Sequence, residues 1–573
     1  MKSLFLIFGA SLAAFSGATV SYTITPDVKA RTFAVRMELS ESKPQETFRI
    51  PSWSPGYYNL LNYAGKVSAV KATAPDGTAL TVRRSGKSWT VDNPAGTPVQ
   101  LTYRVLADDK GLGFFWSLLT PKVGFINGPS LYMWADGRKE EPTRLTVNAP
   151  DGWEVATALE KDAEGVYEAG GYDELLDSPI QMGAMRRRKF DVDGLPFEVV
   201  WVSGGDEGFQ PDLDAETERI RRGSVPAIRL FGGAPFKRYT YFIHLGVGDF
   251  AGGLEHRAST VIAMPNVPIL HLDDLATHEY FHAWNVKSIR PAALGPFDYT
   301  APVRVKDLWF SEGVTDYYAK LTAYQAGQRD RAWVFESFGN ALEEIDQSSA
   351  GKRLTLEDAS SQAWENGGFG VQDFSYYTKG LLAGLLFDVR LRARSGGKVS
   401  LDDSMRALYK SGALPKPGFA DGEIRRVLVE LGGADMGGLY DAAIRGKGQV
   451  PVALVADDLR ALGVRVLVPG QTFAMPRFQV GADGVVTAVA DKADTVHIGD
   501  KILNARQTGP ATAEVRLSRG GAEQTLTVPV TVTRVADYRI EEDPFATDAA
   551  RALREEWLHR LPGVRDEEGQ PSR

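Results

Sequence analysis

The stretch THEYFHAW, Thr277–Trp284, decides the fold, because it places two of the chain's seven histidines four residues apart with a glutamate between them. In a helix, residues four apart lie on one face, so His278 and His282 point into the same cleft. Zinc binds imidazole nitrogens at about 2.0–2.1 Å and accepts two such ligands from adjacent turns. Glu279 is offset around the helix, where it can reach a zinc-bound water as a general base. The stretch predicts a catalytic site with one Zn²⁺ per chain; the alternative is a helix with two surface histidines.

A catalytic zinc needs a third protein ligand, and the next predicted helix, DLWFSEGVTDYY (Asp307–Tyr318), offers candidates. Glu312 lies thirty residues after His282, at a position that can supply a carboxylate ligand. Asp316 is four residues further on the same helical face. There it can accept the free imidazole N–H of a zinc ligand and fix the orientation of that ring. The alternative for Asp316 is a solvated acid.

The charge and the cysteine content of the chain exclude several kinds of function. The chain has 573 residues, a formal net charge of −8 and no cysteine. The negative charge argues against a general nucleic-acid binder, which would present a basic face. The absence of cysteine excludes disulfides, thiol catalysis and thiolate metal ligands.

The first eighteen residues have the pattern of a secretory signal peptide. Lys2 provides a positive start, Leu4–Phe15 is an apolar run too short to span a bilayer, and Ser16–Ala18 supplies small residues for cleavage after Ala18. We therefore expect export to the periplasm or the medium; the alternative is a buried N-terminal strand. No later segment has the eighteen or more apolar residues of a membrane helix, so no membrane span is expected.

The period of the apolar residues predicts a multidomain α+β chain. Short alternating runs such as FAVRMEL (Phe33–Leu39) and VQLTYRVL (Val99–Leu106) predict strands, and the turns between them favour a β-sandwich over 19–182. Strands continue to about residue 255, and helical periods follow to about 444. We assign 183–450 to a mainly helical catalytic domain, 451–540 to a β domain and 541–573 to a charged tail with one helix.

At the catalytic motifs the chain resembles the glycyl aminopeptidase family of gluzincin metallopeptidases. The resemblance is carried by HEYFHAWNVKSIRP (His278–Pro291), FDYT (Phe297–Thr300) and LWFSEGVTDYY (Leu308–Tyr318), with SWSPGYY and DSPIQMG further upstream. It implies an N-terminal β domain, a thermolysin-like catalytic domain and a C-terminal PDZ domain. It also implies Glu279 as the base and three zinc ligands: His278, His282 and Glu312.

The resemblance extends to GGLEH, Gly252–His256, which is similar to the glycine-rich strand that holds the free amino group of a substrate. An exopeptidase needs a carboxylate near the metal to pair with that ammonium, and Glu255 would supply it. Gly252 and Gly253 would allow close approach of the backbone. The alternative is a surface glutamate on an edge strand. His256 would either help to bind the amine or pack.

A second segment, YTKG (Tyr377–Gly380), is similar to the one whose tyrosine stabilises the tetrahedral intermediate. A phenol O–H aimed at the developing oxyanion lowers the barrier to hydrolysis. The resemblance implies Tyr377 for this role, with Tyr376 as the second choice; the alternative is a packed aromatic at a helix start.

Near the C-terminus, HIGDKIL (His497–Leu503) resembles the late part of a PDZ domain, which implies a PDZ-like lobe without an evident peptide-carboxylate loop. The function implied is that of an aminopeptidase removing small N-terminal residues, Gly or Ala, from peptides with a free N-terminus. The alternatives are a zinc endopeptidase of the same fold and a non-catalytic peptide-binding protein.

Overall fold

The computed structural model describes residues 20–562, apart from 204–210, 249–250, 266–271, 366, 413–417, 449, 451, 471, 482, 491–494 and 510. The predicted signal peptide and residues 563–573 of the predicted tail lie outside these ranges. The chain forms two compact units. The first comprises the chain up to Ser54 together with Leu60–Arg186, and the second comprises Pro55–Asn59 and the chain from Arg187 onward.

The first unit is built from β-strands, and one short helix, α1 (Tyr172–Leu176), accompanies them. Its strands are β1 (Val20–Asp27), β2 (Thr32–Leu39), β3 (Gln45–Arg49), β4 (Val67–Thr73), β5 (Ala79–Ser85), β6 (Ser88–Asp92), β7 (Val99–Leu106), β8 (Leu118–Leu119), β9 (Val123–Ile126), β10 (Trp134–Ala135), β11 (Thr143–Val147), β12 (Glu154–Thr157), β13 (Glu160–Lys161), β14 (Tyr167–Ala169) and β15 (Ile180–Gly183). Eleven of them form one sheet in the order β10-β3-β6-β5-β4-β7-β2-β1-β11-β14-β13, and β12-β15-β9-β8 form a second.

The alternation read in the sequence is the reason why this large sheet forms. In β7 the side chains of Val99, Leu101, Tyr103 and Val105 are buried, while the residues between them are more exposed. Strand β2 alternates in the same way and pairs with β7 along its whole length, antiparallel. One face of each strand therefore enters the core, as a period of two requires. The prediction of an N-terminal β domain is confirmed.

The second unit combines a five-stranded sheet with helices around an extensive aromatic core. The sheet order is β16-β17-β18-β20-β19, with β17, β18 and β20 parallel and β19 antiparallel at the edge. Its elements up to residue 440 are β16 (Arg186–Val192), β17 (Leu195–Ser203), α2 (Leu213–Phe231), β18 (Tyr239–Leu245), β19 (Gly252–Glu255), β20 (Ser259–Met264), α3 (Asp273–Phe281), α4 (Thr315–Gln325), α5 (Arg331–Gln347), α6 (Leu356–Ser361), α7 (Tyr376–Ser395), α8 (Leu401–Gly412), α9 (Glu423–Gly432) and α10 (Ala434–Tyr440).

Two helices differ from the sequence prediction. Helix α2 lies in a region for which only strands were predicted; it carries Pro226 inside, a residue that normally argues against a helix. Helix α3 ends at Phe281, whereas the helical period of LDDLATHEYFHAWNVKSI predicts a helix over Leu272–Ile289. Beyond it the chain makes wider turns, in which Lys287 N–H donates to the His282 carbonyl at 2.9 Å. The Asn285 carbonyl faces the side chain of His282.

The rest of the second unit returns to strands, which surround a small apolar core of their own. Its elements are α11 (Ala456–Ala461), β21 (Val464–Leu467), β22 (Thr472–Pro476), β23 (Phe478–Val480), β24 (Val486–Val489), β25 (Lys501–Gly509), β26 (Thr512–Arg519), β27 (Ala522–Arg534), β28 (Arg539–Glu542) and α12 (Asp548–Trp557). In α12, which falls in the predicted tail, Trp557 is buried and donates to the Tyr317 hydroxyl at 2.9 Å. Across the described residues, no helix has the length and apolarity needed to cross a membrane.

Candidate active site

His278 of α3, His282 immediately after that helix and the glutamate of the following helical segment converge. The Nε2 atoms of His278 and His282 are 3.0 Å apart, and they lie 3.5 and 3.2 Å from Oε2 of Glu312. All three side chains are buried. A tetrahedral zinc with bonds of about 2.0–2.1 Å separates its ligand atoms by about 3.3–3.4 Å. The triangle of donor atoms therefore has the size of one face of such a site.

The hydrogen bonds on the far side of the two rings fix their tautomers. Nδ1 of His282 is 2.6 Å from the Asn285 carbonyl, which only accepts, so this nitrogen carries the proton. Nδ1 of His278 is 3.3 Å from Oδ1 of Asp316 and donates in the same way. In the neutral rings both Nε2 atoms are then lone-pair donors, and they face a carboxylate oxygen. Three electron donors meeting in a buried space fit a cation, and this set of N and O ligands fits zinc.

Asn285 is a part of the site that sequence reasoning missed. Its side-chain amide donates to the Phe310 carbonyl at 2.9 Å and to the Thr315 hydroxyl at 3.1 Å. The hydroxyl of Thr315 in turn donates to the Asn285 carbonyl at 3.2 Å. These bonds link the turn after α3 to the segment that carries Glu312. The sequence could not reveal this contact, because the group that holds the His282 ring is the backbone carbonyl of Asn285, which every residue has.

Glu312 lies in a π-helical turn, Trp309–Val314, that leads directly into α4, where the sequence predicted one regular helix. Such wide turns are rare and concentrate at functional sites. Burial raises the pKa of Glu312, but the imidazoles of His282 and His278 outweigh burial and hold its pKa below the usual range. The side chain is therefore an anion at neutral pH, as a metal ligand has to be.

Asp316, at the start of α4, has a further charged neighbour. Burial acts to raise its pKa, while the hydrogen bond to His278 and the charge of Lys320 lower it more. The geometry places this carboxylate behind the His278 ring, as the sequence predicted; its role remains a prediction.

We expect Asp316→Ala to weaken zinc binding by about 10–100-fold, because such an outer partner orients its ligand and raises the basicity of that ligand. Competition with a chelator of known zinc affinity measures the change. Asp316→Asn keeps an acceptor for the imidazole N–H and should fall between the two. An unchanged zinc affinity in the alanine variant would show that Asp316 is only structural.

Glu279 packs against the edge strand of the sheet. It is buried, and a Cβ added to Gly253 would collide with its carboxyl group, so only glycine allows strand β19 to approach this closely. Burial raises the pKa of Glu279 to about 7, although the charges of His278 and His282 act to lower it. A carboxylate with a pKa near the working pH is suited to take up and release a proton.

Glu255 ends strand β19 beside this group. One ligand atom each of Glu255, Glu279 and His282 lies within 4.8 Å of the others. Glu255 is buried, which excludes the surface glutamate considered as the alternative. Its carboxylate packs against Gly56 from the Pro55–Asn59 segment of the same unit, where an added Cβ would lie 2.8 Å from Oε1 and 2.7 Å from Cδ1 of Leu254. The adjacent His256 is buried as well.

Tyr377 lies at the start of α7, close to the metal donors. Its ring is 6.1 Å from that of His278, with an interplanar angle of 23°. Burial raises the pKa of Tyr377 well above its usual value, so the phenol stays protonated and remains a donor. The hydroxyl of Tyr376 donates to the Gly368 carbonyl, which commits that tyrosine to the loop before α7. The geometry thus favours Tyr377 over Tyr376 for a role toward substrate.

Two glycines bring α7 against the turn that carries Glu312. A Cβ added to Gly313 would lie 2.7 Å from the backbone nitrogen of Leu381, and one added to Gly380 would lie 2.9 Å from Cα of Gly313. The glycines of WFSEG and YTKG therefore pack backbone against backbone, which sets the distance between Glu312 and Tyr377.

We expect Gly380→Ala to lower the free energy of unfolding by about 1–3 kcal/mol, because the added methyl group overpacks two rigid backbones. Urea denaturation measures it. Gly438→Ala is the matched control: this helical glycine has no neighbour within 4 Å of the added Cβ, so alanine should be neutral or stabilising. Equal effects of the two substitutions would refute this account of the contact.

Comparison with known proteins agrees with the geometry. The family model of the peptidase M61 N-terminal domain matches residues 21–184, and that of the M61 glycyl aminopeptidase matches residues 271–383, which include the metal donors and Tyr377. The two matched regions are M61 peptidase domains. They support a zinc aminopeptidase, a hydrolase of peptide bonds.

One solved structure shares the fold of this chain. An aminopeptidase N family protein from Idiomarina loihiensis superposes with a TM-score of 0.74 at 24% identity, covering 93% of this chain and 99% of that one. An M1 zinc metallopeptidase from Deinococcus radiodurans gives a TM-score of 0.48 at 14% identity, covering 75% and 94%. Among proteins with curated descriptions, none matches the sequence.

Proposed function

We propose that this chain is an exported aminopeptidase that removes small N-terminal residues, glycine or alanine, from peptides. The observation that carries the proposal is the place of Glu255, whose carboxylate lies within 4.8 Å of the ligand atoms of Glu279 and His282. In a peptide, the α-nitrogen is separated from the first carbonyl carbon by only one atom. An anchor for the terminal ammonium must therefore lie close to the group that activates the attacking water. An endopeptidase has no use for a buried carboxylate at this position.

The chain's own residues divide the reaction between them. When bound by His278, His282 and Glu312, zinc supplies Lewis acidity, which lowers the pKa of water and polarises a carbonyl. Glu255 holds the ammonium of the substrate and so sets which carbonyl is presented. Glu279 takes a proton from the attacking water and passes it to the leaving amine. Tyr377 donates its O–H to the former carbonyl oxygen as negative charge develops there.

The preference for a small first residue has support in the surroundings of Glu255. The backbone of Gly56 lies close to the carboxylate of Glu255, since a Cβ added there would lie 2.8 Å from Oε1. The description of the family as glycyl aminopeptidases points the same way.

Two further parts of the proposal rest on sequence pattern. Export rests on the signal-peptide pattern of residues 1–18. A PDZ-like lobe over 451–540 rests on HIGDKIL, and the separate apolar core of the strands around it supports an independent lobe.

Hydrolysis of a panel of aminoacyl p-nitroanilides and of N-acetylated peptides tests the function. We expect turnover of glycyl and alanyl substrates with a free amine, zinc near one per chain, and no turnover of blocked peptides. Cleavage of blocked peptides would indicate the endopeptidase instead. Zinc without any cleavage, together with peptide binding, would favour the non-catalytic protein.

A further inference from the structure

A buried lysine lies next to the proposed amine anchor. Nζ of Lys287 is 3.6 Å from Oε1 of Glu255, and the two side chains are 7% and 6% exposed. Lys287 belongs to the turn after α3, five residues beyond His282, whose carbonyl accepts its backbone N–H at 2.9 Å. The segment that supplies the two histidine donors thus also places a cation beside the neighbouring strand β19.

Burial of this lysine calls for an explanation, because lysine is almost never fully buried unless it is paired. The anion near Lys287 is Glu255, the carboxylate proposed to bind the amine of the substrate. Glu255 stands at the end of an edge strand, after Gly252 and Gly253, which have no side chains to support it laterally. Lys287 is therefore a charged contact that can define where this carboxylate points.

We propose that Lys287 is the positioning residue of the amine subsite. It fixes one oxygen of Glu255, and the carboxylate presents its remaining lone pairs to the α-ammonium of the substrate. A carboxylate has about four acceptor sites, so one contact to Lys287 leaves room for a second cation. This inference rests on the proposed function, because it assigns the amine to Glu255.

A purely structural pair predicts something different. If Lys287 only stabilised the fold, its loss would weaken the binding of all ligands together, through the population of folded enzyme. If it positions Glu255, its loss weakens only ligands that carry an α-amine. Two zinc-binding hydroxamates separate these cases: glycine hydroxamate has the α-amine, and acetohydroxamate has hydrogen in its place.

The measurement is the ratio of the inhibition constants of the two hydroxamates with the zinc-loaded enzyme. In the wild type we expect glycine hydroxamate to bind more tightly. In Lys287→Met that preference should shrink by about 10-fold or more, the worth of a charge-assisted contact, while acetohydroxamate binding stays within about 2-fold. Lys287→Arg keeps a cation beside Glu255 and should restore most of the preference.

Arg390→Met is the matched control. It breaks another buried ion pair of the same unit, with Asp458, about 20 Å along α7 from Tyr377. It should lower the melting temperature without changing the hydroxamate ratio. Should Lys287→Met fail to fold, Lys287→Gln gives the same comparison with a polar side chain.

The outcomes are distinct. An unchanged ratio in a folded Lys287 variant would overturn the inference and leave the aminopeptidase standing. An unchanged ratio that arises from equal weakening of both hydroxamates would, in addition, reduce Lys287 to a structural residue. A wild type that binds both equally well would remove the amine subsite, and with it both the inference and the proposed function.

Discussion

Glu279→Gln should lower kcat/KM by about 10²–10⁴-fold and leave one zinc per chain. The amide cannot accept a proton from water, which removes the general base. The three metal donors belong to other residues, so zinc content should not change. Hydrolysis of an alanyl p-nitroanilide and metal analysis of the same sample measure the two quantities.

A control separates loss of the base from loss of the site. His282→Ala removes a donor atom and should lose both zinc and activity, whereas Glu279→Gln should lose activity alone. If Glu279→Gln keeps more than about a tenth of wild-type kcat/KM, another group serves as the base. Loss of zinc from this variant would instead give Glu279 a part in holding the metal.

Glu255→Gln should lower kcat/KM by about 10–100-fold for substrates with a free amine, because the charge-assisted contact with the ammonium is lost. The small residual cleavage of an N-acetylated peptide, if it is measurable at all, should not fall. The ratio of the two rates on matched glycyl peptides, free and acetylated, is the quantity to follow. This ratio reports the contact between Glu255 and the ammonium, because a general loss of active enzyme lowers both rates equally.

The variant must be compared with a change of the same chemistry elsewhere. Glu198→Gln alters another carboxylate of the same unit, one that pairs with Arg187 at 2.8 Å on β17. It should leave the ratio unchanged. An endopeptidase would show the opposite of the main expectation, with internal cleavage surviving Glu255→Gln at full rate.

The local patterns of this chain predicted its regularly alternating strands and the three residues whose donor atoms converge, His278, His282 and Glu312. Strands with strict alternation, such as VQLTYRVL, were predicted at the bounds that β7 has in the structure. The pair of histidines followed from helical spacing, since the two residues lie within one turn of each other. Glu312 and Asp316 were found because one following segment carries both.

Other features depend on contacts that no local pattern encodes. Helix α2 was not predicted; it accommodates Pro226 in its interior, where the proline is buried. The Asn285 carbonyl and the Lys287 ammonium reach the site through the turn after α3, where the pattern predicted more helix. The role of Gly313 and Gly380 is visible only when the two segments, distant in the sequence, lie together.

The π-helical turn around Glu312 has a consequence for how such a site can arise and be lost. A wide turn holds one residue more than the α-turn that it replaces, and one residue rotates a helix by about 100°. A single-codon deletion in Trp309–Val314 would therefore turn the carboxylate away from the imidazoles while keeping every ligand in the sequence. A homologue that keeps His278, His282 and Glu312 but has one residue fewer in this turn would therefore be expected to lack peptidase activity.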